Sequence, residues 1–191
     1  METKSALETI LDRRSVRSYA DKKVEKDLIE ALLTYAVRAP TAMHQEPCAF
    51  AVIQDQNLLR EISDLAKPQF EKILHAPGHS KTHATHDFSD PNFNIFYGAD
   101  TLIVITAKLP GHFLDADCWL AAENLMLAAT GMGLGTCVIG SALMALNGPD
   151  MKSRLNIPDE YSAVAPIIVG YPSGITAPSS RKNPVVLSWI Y

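Results

Sequence analysis

LMLAATGMGLGTCVIGSALMAL, residues 125–146, decides the fold. It carries no charged side chain and is long enough to cross a bilayer as a helix. Glycines at 131, 133, 135 and 140 interrupt it. Gly131-Met132-Gly133-Leu134-Gly135 makes a poor helix interior, because each glycine costs about 1 kcal/mol relative to alanine. The stretch therefore reads as a helix ending near Gly131, a turn, and a buried strand from Thr136 to Ile139. The same glycines invite a dinucleotide fingerprint, but that motif follows a strand and opens a helix. Here the order is reversed and the third spacing is wrong, so neither a membrane span nor a Rossmann site survives.

Upstream, residues 113–130 read as a helix with Cys118, Ala121, Ala122, Leu125, Ala128 and Ala129 on one side. Trp119, Leu120, Met126 and Leu127 make it apolar nearly all round, which suits the centre of a core or of an oligomer interface. Residues 101–107 (TLIVITA) and 49–53 (AFAVI) are β-branched or continuously apolar runs and read as strands. Residues 25–38 form an amphipathic helix through Leu28, Ile29, Leu32, Leu33 and Ala36, stopped by Pro40. Shorter helices are expected over 4–12, with Ala6, Ile10 and Leu11 as its stripe, over 57–66 and over 148–155. Further strands are expected over 163–169 and 185–189. This alternation argues for an α/β or α+β arrangement in one domain of 191 residues.

With 47% apolar and 20% charged residues and a net charge of −4, the chain has a globular composition and is a poor candidate for general nucleic-acid binding. Cys48, Cys118 and Cys137 are widely spaced and form no CxxC pair, so reduced thiols in a cytoplasmic protein are the expectation. No apolar signal region follows Met1-Glu2-Thr3-Lys4.

Residues 67–94 are set apart as a lid-like insertion. His75, His79, His83 and His86 recur there at spacings of four, four and three. Imidazoles at that spacing can ligate a metal, but no HExxH arrangement is present, and a mobile polar lid without metal is the expectation.

The chemistry-bearing stretch is Arg13-Arg14-Ser15-Val16-Arg17. Guanidinium forks fit phosphate oxygens, and a serine hydroxyl adds a further bond. A solvated basic turn after the first helix is the alternative. A second basic element, Ser179-Ser180-Arg181-Lys182, follows a Gly/Pro-rich loop near the other end.

The pieces together resemble the FMN-dependent nitroreductase family. The resemblance rests on Arg13–Arg17; on Ala39-Pro40-Thr41-Ala42-Met43-His44-Gln45-Glu46-Pro47; on the long helix running into Gly133–Gly140; and on Val169-Gly170-Tyr171-Pro172 followed by Arg181. It implies an α+β fold, a mixed sheet flanked by helices in an intertwined homodimer, with FMN at each subunit interface. It further implies that Arg13, Arg14, Ser15 and Arg181 hold the phosphate and that Arg17 stands near the flavin pyrimidine. Pro40, Thr41, Ala42 and His44 are implied to reach the partner's flavin, and Ile139 and Gly140 to pass flavin N5. Asn92 is the weaker pyrimidine candidate, with Asn94 in reserve. The implied activity is ping-pong electron transfer from NAD(P)H to nitroaromatics, quinones or similar acceptors. A non-catalytic flavin-binding or storage protein on the same fold is the alternative, and a His-rich metal-binding protein a third reading. The chain departs from the family pattern at His44, where asparagine is common; at Cys48, where a large apolar residue is common; and at Ile95, near which a lysine is common.

Overall fold

The computed structural model describes residues 4–74 and 88–191, which build six α-helices and four strands around one sheet. The helices are α1 (Ala6–Asp12), α2 (Lys26–Ala36), α3 (Gln56–Leu74), α4 (Leu114–Gly131), α5 (Leu143–Leu146) and α6 (Pro149–Arg154). The strands are β1 (Cys48–Ile53), β2 (Thr101–Lys108), β3 (Gly135–Val138) and β4 (Tyr161–Gly170), in the sheet order β1-β2-β4-β3. Every ladder between them is antiparallel. Among the described residues parallel pairing enters only as the Ser15–Thr136 bridge, which lays the segment after α1 along the free edge of β3.

Helices cover both faces of the central strands β2 and β4, which are buried and mostly apolar rather than alternating with polar residues, while the edge strand β1 is half-buried. Ile103, Ile105, Ile167 and Val169 point to one side, where they pack with α2 and α4. Leu102, Val104, Ile168 and Cys137 point to the other, where they pack with α3, α5 and the turns around Ile95 and Phe96. The α4–β3 junction has the helix–turn–strand form read from residues 125–146. Gly133 takes φ 76°, a left-handed conformation that glycine adopts without steric cost, and Leu134 N–H returns to the Ala129 carbonyl at 2.8 Å. Among the described residues no helix is long and apolar enough to cross a membrane.

Three local expectations are corrected. The helix expected to end at Ala66 continues to Leu74 with Pro68 inside it. Its buried stripe of Leu59, Ile62, Ser63, Ala66 and Lys67 packs on the core, and that packing outweighs the backbone bond lost at proline. On α1 only Thr9 is buried, while Ile10 and Leu11 are 55% and 72% exposed. The helix is held instead by a capping box between Ser5 and Glu8. Residues 185–189 form no strand: the tail leaves the sheet after the Tyr19–Pro172 bridge, and Val185 and Leu187 are 84% and 95% exposed. A strand needs an edge to pair with, and residues 185–189 pair with none among the described residues.

Candidate functional site

The stretch Arg13–Arg17 leaves α1 in extended conformation, Arg13 having φ −55° and ψ 131°. Val16 N–H donates to the Thr136 carbonyl at 2.9 Å, and Tyr19 Oη donates to the Val16 carbonyl at 2.8 Å. Side chains of an extended segment alternate, and this alternation sorts the cluster. Val16 is buried against Gly135, where a Cβ would sit 2.8 Å from Val16 Cγ2. Arg14 turns back, donating to the Leu11 and Arg13 carbonyls at the end of α1, and lines a cleft with Gly133 and Pro172.

Arg13, Ser15 and Arg17 alternate with Arg14 and Val16, and Arg17 lines a cavity together with Cys137. Burial pushes the Cys137 thiol up, and the charges of Arg17 and Arg13 and the Ser15 hydroxyl act against it. Arg13 Nε lies 3.5 Å from Glu123 Oε1, and the Arg17 guanidinium stands 5.9 Å from the centre of the Tyr97 ring.

Arg17 opens onto a cavity of about 260 Å³. Its floor is Cys137–Ser141, at the end of β3 and the turn after it. Its wall is a run of aromatic rings in contact: Phe70 to Phe88 at 5.0 Å, Phe88 to Phe93 at 5.6 Å, and Phe93 to Tyr97 at 5.7 Å. Gly140 leaves the floor open, since a Cβ built there meets nothing within 4 Å. Ile139 turns its side chain into the core and donates its N–H to the Pro166 carbonyl at 2.9 Å. Lys67 fixes the turn that carries the wall. Only 6% exposed, it pairs with Asp64 at 3.0 Å and donates to the Phe93 carbonyl at 3.0 Å and the Asp90 carbonyl at 3.4 Å.

The cavity thus brings together Arg17, Ile139 and Gly140, with Arg13 and Ser15 on the extended segment that carries Arg17. Arg14 faces the other side. Pro40, Thr41, Ala42 and His44 belong to a loop seated on the start of α4. There Ala42 N–H donates to Asp117 Oδ1 at 3.0 Å, and Glu46 N–H donates to Thr41 Oγ1 at 3.2 Å. Met43, His44 and Glu46 hold φ of 53°, 53° and 46°, left-handed values that cost energy for residues with side chains. Asn92 is exposed, its N–H bonded to Asp90 Oδ1 at 2.8 Å. The Asn94 side chain is occupied in accepting from Phe96 N–H at 2.8 Å. Arg181 is exposed in the tail, donating to the Ser180 carbonyl at 3.4 Å. His75, His79, His83 and His86 lie outside the described residues. Among the described residues no group of His, Cys, Asp or Glu has a metal-binding arrangement.

Sequence reasoning missed the aromatic wall, Glu123, Lys67 and Asp117. Phe88, Phe93 and Tyr97 are dense enough in the sequence to have signalled the wall. The other three act through partners distant in the chain and carry no local signal.

A family model described as the Nitroreductase family matches residues 10–171. The FMN reductase (NADPH) of Bacillus subtilis strain 168 is 28% identical over 181 residues, covering 93% of this chain and 70% of that protein. A nitroreductase from Bacteroides fragilis, crystallised with bound FMN, superposes with a TM-score of 0.81 at 25% identity, covering 99% of this chain and 100% of that one. An iodotyrosine deiodinase bound to FMN and 3-iodo-L-tyrosine has a TM-score of 0.83 at 19% identity over 98% of this chain and 100% of that one, a likeness of fold. With the family model spanning residues 10–171, most of its length, the chain belongs to the nitroreductase family.

Proposed function

We propose that this chain binds FMN and passes electrons from NAD(P)H to small electron-poor acceptors. The observation that carries the reading is Arg17, on the extended segment it shares with Arg13 and Ser15, lining an aromatic-walled cavity floored by Gly140. The donor set fits the group. The Arg13 guanidinium and the Ser15 hydroxyl, two residues apart on an extended segment, suit a phosphate dianion, and flat rings with an open glycine floor suit a planar heterocycle. When bound, FMN supplies two-electron chemistry, taking hydride from a nicotinamide and releasing electrons to the acceptor.

The chain's own groups bind and tune. Arg13 and Ser15 would hold the phosphate, with Arg181 joining from the tail and Arg14 bracing the segment from behind. Arg17 would set a positive charge beside the ring system, which favours an anionic reduced form. The backbone at Ile139 and Gly140 would carry the redox-active edge. Thr41, Ala42, His44 and Pro40 are assigned to the flavin of a second subunit. That homodimer is supported by the apolar surface that one chain leaves uncovered: Leu7 and Leu11 on α1, Trp119 and Leu120 on α4, and Leu187, Trp189 and Ile190 in the tail. Of the lid expected over residues 67–94, residues 75–87 lie outside the described residues, Lys67 to Leu74 belong to α3, and Phe88 and Phe93 belong to the cavity wall; the expected setting is the cytoplasm.

The test begins with the purified protein. Heat-released cofactor should co-chromatograph with FMN, and recovery of FAD, or failure to take up FMN, would refute the site. Steady-state rates with NADH or NADPH and a nitroaromatic or quinone should give parallel double-reciprocal lines. Intersecting lines would refute alternate use of one pocket. A bound flavin that neither nicotinamide bleaches would identify a flavin-binding protein without turnover.

A further inference from the structure

Cys48 and Cys118 are seventy residues apart in sequence, yet their sulfurs stand 3.4 Å apart. Both backbones are held in regular structure. Cys48 opens β1 and pairs with Ala107 of β2, while Cys118 sits in the second turn of α4. Cys137, the third cysteine, lies on the opposite face of the sheet and cannot compete. A disulfide has its sulfurs about 2.05 Å apart, so closure requires a shift of about 1.4 Å shared between two side chains.

The position of the pair gives it a consequence. Asp117 and Cys118 are consecutive on α4. Asp117 accepts from Ala42 at the start of the exposed loop, and Cys118 meets Cys48 just past its end. The loop between holds three residues at left-handed φ. One end of that loop is thus fastened to α4 by a hydrogen bond, and the other is poised for a covalent one.

We propose that Cys48 and Cys118 form a dithiol–disulfide couple, oxidised by a peroxide, that fastens the base of the 41–47 loop to α4. Cys48 is the attacking thiol. It is half-buried, whereas Cys118 is buried, and a thiolate is the reactive form. The Cys118 S–H beside it also lowers the Cys48 pKa, while the same contact and burial push that of Cys118 up.

In the first step the Cys48 thiolate bonds to one peroxide oxygen. The O–O bond breaks, the departing hydroxide takes up a proton to leave as water, and Cys48 becomes a sulfenic acid. In the second step the Cys118 sulfur attacks the Cys48 sulfur. The S–OH bond breaks and the Cys118 proton leaves with it as a second water. Two thiols lose two electrons and two protons, and one peroxide is reduced to two waters.

The test uses the purified protein with its cofactor, reduced and then exposed to hydrogen peroxide before alkylation. The mass should fall by two hydrogens per chain, with one thiol of the three still alkylated. Fragmentation should link Cys48 to Cys118 and not to Cys137, and dithiothreitol should reverse the change. Hydrogen exchange at the Ala42 and Glu46 amides should slow several-fold in the oxidised form. Cys118→Ser should leave Cys48 as a sulfenic acid that dimedone traps. If that variant does not fold, Cys48→Ser should leave Cys118 unoxidised. Three alkylated thiols after peroxide, sulfinic acid at Cys48 with Cys118 still free, or a link between chains would overturn the couple. Unchanged exchange in a cross-linked sample would overturn the tether. None of these readouts depends on flavin reduction, so a failed cofactor assignment is distinguishable from a failed couple.

Discussion

Gly135→Ala should loosen the edge that carries Arg13, Ser15 and Arg17. A Cβ at residue 135 would lie 2.8 Å from Val16 Cγ2 and 2.9 Å from both Cγ1 and Cβ. Val16 cannot swing aside, because its β-branched side chain has few χ1 choices and its N–H is bonded to the Thr136 carbonyl. The added methyl must therefore push the whole Ser15–Val16 segment away from β3. Overpacking of this kind costs about 1–3 kcal/mol. Removing the two Val16 methyls alone should cost about 1–3 kcal/mol as well. In the Gly135→Ala, Val16→Ala double variant two of the three close contacts vanish and one, to Cβ, remains. The pair should therefore be less destabilised than the sum by about 1 kcal/mol, a normal coupling for touching residues. Urea unfolding of the four proteins measures this. FMN titration of the same set should show the Gly135→Ala variant weakened by roughly tenfold, the loss of about one charge-assisted phosphate bond. Wild-type stability in Gly135→Ala, or strict additivity, would refute the packing argument. A destabilised variant with unchanged FMN affinity would separate this edge from phosphate binding.

Tyr19→Phe should cost about 0.5–1.5 kcal/mol for the lost bond to the Val16 carbonyl, read by urea unfolding. Burial raises the Tyr19 pKa, so above about pH 10 the unfolded state loses its proton first. Native stability is complete below that pH and falls as pH rises, and the phenylalanine variant should show the shallower alkaline decline. Lys67→Met keeps the buried stem but removes the ammonium bonds to the Phe93 and Asp90 carbonyls and the ion pair with Asp64, while Asp90 still accepts from Phe93 N–H. A loss of about 1.5–3 kcal/mol and faster hydrogen exchange over residues 90–97 are expected, and wild-type exchange there would refute its role in holding the wall. Glu8 has its pKa lowered by the Ser5 backbone bond. The capping box is therefore complete above the ordinary carboxylate range and lost as pH falls through the lowered value, so α1 amide exchange should accelerate in acid, and Glu8→Ala should abolish that dependence.

Most of the fold was legible because it is written in local periodicity. The apolar runs at 49–53, 101–107 and 163–169 became β1, β2 and β4, though in β1 only Ile53 is buried, and the glycines after Thr130 turned α4 into β3, as their backbone preferences require. The reading failed where burial overrode local preference. Pro68 argues for a break, yet its helix lies on the core and continues. Ile10 and Leu11 imply a buried stripe, yet α1 turns Thr9 inward instead. The 185–189 run has strand composition, but composition cannot supply a pairing edge.

The candidate site divides along the same line. Residue types that suit phosphate, clustered at Arg13–Arg17, are a property of the sequence itself, and so is the family resemblance. That Arg14 faces away from Arg13, Ser15 and Arg17 was decided by pairing against β3, because an extended backbone alternates its side chains. Lys67 holding residues 90–93, Asp117 holding Ala42, and Cys48 meeting Cys118 are contacts between positions 23 to 75 residues apart. Such contacts depend on how a helix lies on a sheet, a choice made by the summed packing of the whole core, and no local stretch of sequence encodes it.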